Sequence, residues 1–339
     1  MIDLSKGKIL VTGGAGFIGS ALVWELNRRG LTNIIVTDIL GRDEKWKNLV
    51  ALRFSDYVEA DELLARLSDK PETLRNIRTV FHLGACSATT ETDASYLIRN
   101  NFEYTKTLAH FCMEDNRRFV YASSAATYGE SAAGISESEP LEKLRPLNMY
   151  GYSKHLFDCY AERAGILDKI AGVKYFNVFG PNENHKGDMR SVVHKAFQQI
   201  KETGTVGLFK SYKPEYADGG QKRDFFYVKD AVNATIFVAE NADGGGLFNL
   251  GSGESNTWLA LVHPIFEALG REPQIKFVDM PETLRPKYQY FTSANISKLR
   301  DAGFTQPMTP LRDAVTDYVK NYLATGAYLG DEARRQPNP

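Results

Sequence analysis

Cysteine is scarce in this chain. Cys86, Cys112 and Cys159 are the three, and no two stand in a CxxC spacing. An odd, scattered set excludes a disulfide framework and a cysteine zinc site, and it fits a reducing compartment. All three are expected as small buried apolar side chains. The six histidines contain no HExxH. With 28 glycines and 13 prolines in 339 residues, the chain is neither collagenous nor low in complexity. Neither sign of charge is in excess: 41 Lys and Arg face 42 Asp and Glu. No overall field therefore favours nucleic acid or an anionic membrane. Long apolar runs are missing too. The uncharged stretch 9–24 follows Lys6 and Lys8, but it falls short of the roughly 20 residues of a membrane helix. It also holds Gly13, Gly14, Gly16 and Gly19. The expectation is no targeting segment, no membrane partner and a cytoplasmic location.

The length suits about two domains at roughly 150 residues each and a large core without covalent staples. The first two-thirds alternate apolar runs with helical stretches. Strands are expected at Lys8–Thr12, Asn33–Asp38, Thr79–Ala85, Arg118–Ser124 and Val173–Phe179, with a helix over Phe17–Arg29. Near-continuous apolar strands separated by helices predict a parallel sheet covered on both faces. The fold class is thus α/β, a Rossmann-type doubly wound parallel sheet. After Gly180-Pro181 the pattern loosens around a helix expected at Ser191–Thr203. Phe225–Asp230 and Leu247–Gly251 read as returns to the sheet, with a further return near 288–297. Residues 1–180 are expected as the dinucleotide-binding domain, and 181–224, 252–287 and 298–330 as a smaller, discontinuous α/β substrate lobe. The polar tail from Asp331 is expected to fray.

Gly13, Gly14, Gly16 and Gly19 lie between the first strand and the first helix. Glycines there permit a tight turn and close approach of a pyrophosphate, which the helix N-terminus favours. A lone GxGxxG is weak evidence, but this one has a strand before it, a helix after it and Asp38 at the end of a second strand. Asp38 would bind an adenosine ribose and favour NAD. Arg42, Lys45 and Arg53 follow it and could neutralise a 2′-phosphate, favouring NADP. On this argument the choice stays open.

Tyr150 and Lys154 stand at i and i+4, on one face of a helix, with Tyr152 pointing elsewhere. A free phenol titrates near pH 10 and is a poor base at pH 7. A neighbouring ammonium favours the phenolate, so Tyr150 could take a proton from a substrate hydroxyl. Ser124, at a strand end, could hold the same oxygen.

Several segments carry a resemblance: Val11–Ser20, Gly84-Ala-Cys-Ser-Ala-Thr-Thr-Glu91, Tyr121–Gly129, Tyr150-Gly-Tyr-Ser-Lys154, Tyr175-Phe-Asn-Val-Phe-Gly-Pro181, His185-Lys-Gly187, Lys222-Arg-Asp-Phe225 and Tyr288-Gln-Tyr-Phe-Thr292. Together they resemble the extended short-chain dehydrogenase/reductase superfamily, and within it the ADP-heptose 6-epimerase family, over about residues 8–325. The resemblance implies conversion of ADP-D-glycero-D-manno-heptose to ADP-L-glycero-D-manno-heptose at C6, supplying lipopolysaccharide core heptose. It implies bound NADP, with NAD as the alternative, a 6-keto intermediate, and a homo-oligomer of pentameric type. Tyr150 and Lys186 become the two acid/base residues, Lys154 positions the nicotinamide ribose, and Ser124 assists. From spacing alone Lys186 reads as a solvated loop lysine.

By the same resemblance, Gly13, Gly16, Phe17, Ile18, Gly19, Asp38, Ile39, Lys45, Leu83, Gly84, Ala85, Cys86, Ser87, Asn100, Lys154 and Val178 face the cofactor. Asn177, Lys186, Asp188, Lys195, Phe209, Lys210, Ser211, Tyr212, Arg223 and Tyr288 face the ADP-heptose. Arg223 suits a diphosphate through its bidentate fork. The departures from the family pattern are Ile39 for a polar residue, Ala60 for a second lysine toward the 2′-phosphate, Leu83 for an acid and Lys195 for a histidine. The stretch Ser211–Gln221 is longer than the family pattern. A 4-epimerase shares the redox chemistry. A 4,6-dehydratase is disfavoured because Ala125 and Ala126, not acids, follow Ser124. A non-catalytic NADP-sensing regulator has no need of Ser124, Tyr150 and Lys154 together.

Overall fold

The computed structural model describes residues 1–69, 71–129, 136–241, 244–282, 284–285 and 288–334. Strand β1 (Lys8–Thr12) leads into helix α1 (Phe17–Arg28), then β2 (Ile34–Asp38), β3 (Asp56–Glu59), α2 (Ala60–Asp69) and β4 (Ile77–His82). Helices α3 (Ala94–Leu97) and α4 (Tyr104–Glu114) precede β5 (Arg118–Ser124) and α5 (Met149–Arg163). The chain continues through β6 (Ala171–Tyr175), β7 (Asn177–Phe179), α6 (Val192–Thr203), β8 (Val206–Phe209), β9 (Lys222–Arg223), β10 (Phe225–Tyr227) and α7 (Val228–Glu240). Strand β11 (Gly246–Leu250), β12 (Asn256–Thr257), α8 (Trp258–Ala268), β13 (Ile275–Val278), α9 (Ser297–Asp301) and α10 (Leu311–Asp317) complete it.

Seven strands form one sheet in the order β11-β6-β5-β4-β1-β2-β3. Every pair in it is parallel. The apolar runs alternate between two cores, as the strand period requires. Ile9 and Val11 face one cluster and Leu10 the other; Val36 and Phe81 oppose Ile35 and Val80 in the same way. The chain turns back between β1 and β4, so their carboxyl ends open a crevice at the switch point, where such sheets bind ligands.

Three small sheets lie outside the main one: β7 with β10, β9 with β12, and β8 with β13. The expected strand 173–179 is therefore two. Its first part pairs in the main sheet, and after Phe176 its second part pairs with β10. The Phe225–Asp230 run makes its strand there rather than in the main sheet, whereas Leu247–Leu250 does return to it. Near 288–297 there is an isolated bridge, Lys222 with Phe291. Strand β3 has no counterpart in the sequence reading, because at this edge position only Val58 is buried. The tail begins as a tight turn, Asp331–Arg334, with Glu332 accepting from the Tyr322 hydroxyl at 2.6 Å. Residues 335–339 lie outside the described ones. No helix among the described residues is long and apolar enough to cross a membrane.

Candidate active site

The glycine turn is built by contact as much as by flexibility. Gly13 has φ +65°, and a Cβ there would stand 2.6 Å from the Gly84 nitrogen. A Cβ on Gly19 would stand 2.0 Å from the Gly13 carbonyl oxygen. Gly16 caps α1 without any side-chain cap bond, so the first-turn N–H groups have no side-chain partner at the cap, as a phosphate-binding helix start requires. These features fit a dinucleotide. Asp38 accepts from the Ala15 and Gly16 amides at 3.0 and 3.1 Å. Its other oxygen accepts from the Ile39 amide and from Lys45 Nζ at 3.1 Å. Lys45 is thus already ion-paired. Arg53 is tied to Asn27, Arg42 is exposed, and Ile39 is 53% exposed and does not line the cleft.

The loop after β4 is fixed at both ends. Thr12 Oγ1 lies 2.7 Å from His82 Nδ1 and accepts from the Gly84 amide, while His82 Nε2 meets Thr105 Oγ1 at 2.9 Å. Burial holds this imidazole well below its usual pKa, hence neutral. Asn101 accepts from the Cys86 amide and donates to the Cys86 carbonyl and to Ser153 Oγ. This clamps the loop to α5. Asn100, expected at the cofactor, donates to the Tyr96 carbonyl instead and does not line the cleft.

Helix α5 brings Tyr150 and Lys154 to the strand ends. Asn148 caps it, accepting from the Gly151 amide at 2.8 Å. Gly151 lets it sit close, since a Cβ there would stand 2.7 Å from the Ala126 carbonyl oxygen. Tyr150 and Ser124 line the cleft together; burial pushes the phenol up, and the neighbouring Ser124 opposes that. This differs from the lowering expected of a neighbouring ammonium. Lys154 is 4% exposed, and burial pushes it down to about 8, with Asp158 one turn on supporting its charge. Asp158 itself pairs with Lys174 at 2.7 Å and accepts from the Tyr121 and Ser123 hydroxyls, while Lys174 donates to Thr127 Oγ1. This fully buried network ties α5 to β5, β6 and the turn after Ser124.

Lys186 is not a solvated loop residue. It is half-buried, and its ammonium lies 5.1 Å from the centre of the Phe17 ring. Burial pushes its pKa down and Glu183 pushes it up. Its loop is anchored by Asn182, which has φ +76°, donates to Ser20 Oγ and accepts from the Leu329 amide.

One cleft of about 650 Å³ is lined by Gly13, Gly16, Phe17, Ile18, Gly19, Asp38, Lys45, Leu83, Gly84, Ala85, Cys86, Ser87, Ser124, Tyr150, Lys154, Val178 and Lys186. Asp43, Tyr175, Phe176, His185 and Met189 also line it and were not expected. His185, which burial pushes down to about 4, could have been found from its place in the His185-Lys-Gly187 segment. The remaining expected substrate residues lie elsewhere. Asp188 and Lys195 are exposed. Arg223 lies 5.1 Å from the Tyr288 ring centre, and Tyr288 meets Phe209 edge-on. Lys210 and Tyr212 both reach Asp279, and Ser211 donates its amide to Asp218. Arg285, absent from the sequence reading, stacks 4.0 Å over Tyr212. Asn177 lies between Phe176 and Val178 of the cleft lining but is not itself part of it, and it accepts from the Thr292 hydroxyl at 3.5 Å.

A parallel doubly wound sheet, a glycine turn at its switch point and a Ser–Tyr–Lys group beside it define a nicotinamide-dinucleotide-dependent enzyme fold. The chain belongs to the NAD dependent epimerase/dehydratase family, whose model matches residues 9–251. It is 53% identical to ADP-L-glycero-D-manno-heptose-6-epimerase of Nitratidesulfovibrio vulgaris (strain DP4), over 93% of this chain and 98% of that one. The crystal structure of Helicobacter pylori ADP-L-glycero-D-manno-heptose-6-epimerase is similar with a TM-score of 0.78 and 25% identity, covering 95% of this chain and 98% of that one. UDP-glucuronic acid 4-epimerase from Bacillus cereus, solved with UDP-glucuronic acid and NAD, has a TM-score of 0.74 and 27% identity, with 93% and 99% covered.

Proposed function

We propose that this protein epimerises ADP-D-glycero-D-manno-heptose at C6, giving ADP-L-glycero-D-manno-heptose. One observation carries the reading: Tyr150 and Lys186, from a sheet-bound helix and a distant loop, line the same cleft as the glycine turn. Inverting a carbinol centre through a ketone brings the carbon back to the hydride with its other face exposed, and a second acid/base group can serve the oxygen in that second orientation.

A nicotinamide dinucleotide held by the glycine turn supplies the hydride acceptor and donor. Tyr150, beside Ser124, takes the C6 hydroxyl proton from one epimer, and Lys186 takes it from the other. The other group gives a proton to the carbonyl oxygen after the sugar has turned over, and exchange with solvent restores both. Lys154 keeps a positive charge beside the phenol and orients the nicotinamide ribose. Arg223, Tyr288 and Phe209 offer a cation and aromatic faces to the ADP moiety. The dinucleotide is proposed as NADP, with Lys45 and Arg42 as the cations that follow β2. The segments 181–224, 252–287 and 298–330 are proposed as the substrate lobe, and the assembly as a cytoplasmic homopentamer.

Incubation with ADP-D-glycero-D-manno-heptose, followed by NMR of the C6 configuration, tests the activity. Inversion at C6 is expected. Inversion at C4 of a UDP-sugar, with no change in the heptose, would assign the site to the 4-epimerases instead. Mass spectrometry of the nucleotide released on denaturation decides NADP against NAD, and light scattering decides the assembly.

A further inference from the structure

Glu183 precedes Lys186 by one tight turn, and the Lys186 amide donates to the Glu183 carbonyl at 3.0 Å. The Glu183 side chain is wholly buried. Its three hydrogen bonds come from neutral donors: the Ser191 amide and hydroxyl, both at 2.6 Å, and the Tyr318 hydroxyl at 3.0 Å. A buried carboxylate usually takes a cation as partner; here the ammonium one turn away points over Phe17 instead. Ser191 also caps α6, accepting from the His194 amide, so the carboxylate is fixed to a helix start and to Tyr318. Gly187, with φ +53° and ψ −127°, then breaks the turn immediately after Lys186.

We propose that Glu183 is a positioning residue for Lys186: a carboxylate pinned by neutral donors, whose charge favours the ammonium while leaving its hydrogens free for the substrate oxygen. This rests on the acid/base reading of Lys186 given above. An ammonium bound directly to a carboxylate has committed at least one of its three donors and is held toward that carboxylate. A buried lysine with no anion near it gives up its proton too early to act as an acid. A fixed charge one turn away, itself buried out of bulk water, resolves both. The influence of Glu183 on Lys186 is in the raising direction, against burial. The other titratable groups around this turn are His185, which faces Lys45, Asp43, Asp38 and Lys186, Asp188, exposed two residues after Lys186, and Arg190, which faces His194 and Tyr318. His185 and His194 are both pushed down to about 4, so neither is charged where a lysine titrates.

The test reads Lys186 directly, without turnover. The full-length protein, with the nucleotide it carries, is acetylated with acetic anhydride across roughly pH 6 to 11. Mass spectrometry of the Lys186 peptide then gives the apparent pKa. In E183Q that pKa is expected to fall by about 1–2 units, the order for a unit charge removed at roughly 6–12 Å and an effective dielectric near 20. In E183D, which keeps the charge but draws it back, the fall is smaller. An unchanged or raised Lys186 pKa in a folded E183Q overturns the proposal, as does an equal shift in both variants, which would mean packing alone. If E183Q does not fold, the sign of the E183D shift decides. Full activity of K186M would refute the acid/base reading but leave this titration result standing, so the two failures are distinguishable.

Discussion

Asn48 donates from its side-chain amide to the Asn182 carbonyl at 3.0 Å, and the same amide reaches the Ala15 carbonyl at 2.9 Å. One buried side chain thus ties the glycine turn to the loop that carries Lys186. N48A leaves two buried carbonyls unmet, at a cost of about 1–3 kcal/mol. We expect a lower denaturant midpoint and a larger loss in kcat/KM than in retained nucleotide. Equal losses in both would mean that Asn48 only supports the fold.

Y150F and K186M are expected to abolish most turnover of both heptose epimers while the nucleotide stays bound. General acid/base groups contribute about 100- to 10,000-fold each. Steady-state rates with each epimer, alongside the absorbance of the purified variants, check this. Wild-type-like rates in either variant remove that residue from the mechanism.

The alkaline limb of the pH profile should come from Lys154. Burial disfavours its ammonium, so it releases its proton near pH 8 rather than near 10. Below that pH the positive charge beside Tyr150 is present; above it the charge is lost, and kcat/KM should fall with a midpoint at about 8. A limb confined to pH near 10 would place the controlling group elsewhere.

The Asp158–Lys174 pair makes a separate prediction about stability. Both side chains are buried and their hydrogen bonds go to one another and to Tyr121, Ser123 and Thr127. K174M leaves a buried carboxylate without its cation, and we expect a loss of about 3–5 kcal/mol in denaturant unfolding. The double variant D158N/K174M should recover part of that loss. No recovery would mean that the neutral partners, not the charge, carry the effect.

The glycine turn and the strands around it were legible because they are local. Gly19 must be glycine because of Gly13, six residues away, and β1, β4 and β5 each carry a central apolar run. The split at Phe176 was not legible, since an apolar run says that it is buried but not which sheet it joins. Strand β3 was missed because three of its four residues lack full burial. The setting of Lys186 was hidden for another reason: its burial comes from Phe17, and its anchors from Asn48, Ser20 and Leu329, all far off in the chain. The ion pair of Asp158 and Lys174 was hidden likewise, because two charged residues 16 apart look like surface until the helix is laid against the sheet.

The outermost strand of the main sheet on one side is β11, and it pairs with β6 from a position more than seventy residues later in the chain. Until the ribosome has delivered Leu250, one edge of β6 has bare peptide groups. The nascent chain must therefore keep an unfinished nucleotide-binding half soluble while the intervening segment is made. It also means that a fragment ending at residue 180 is a sheet with one margin missing, not a free-standing unit.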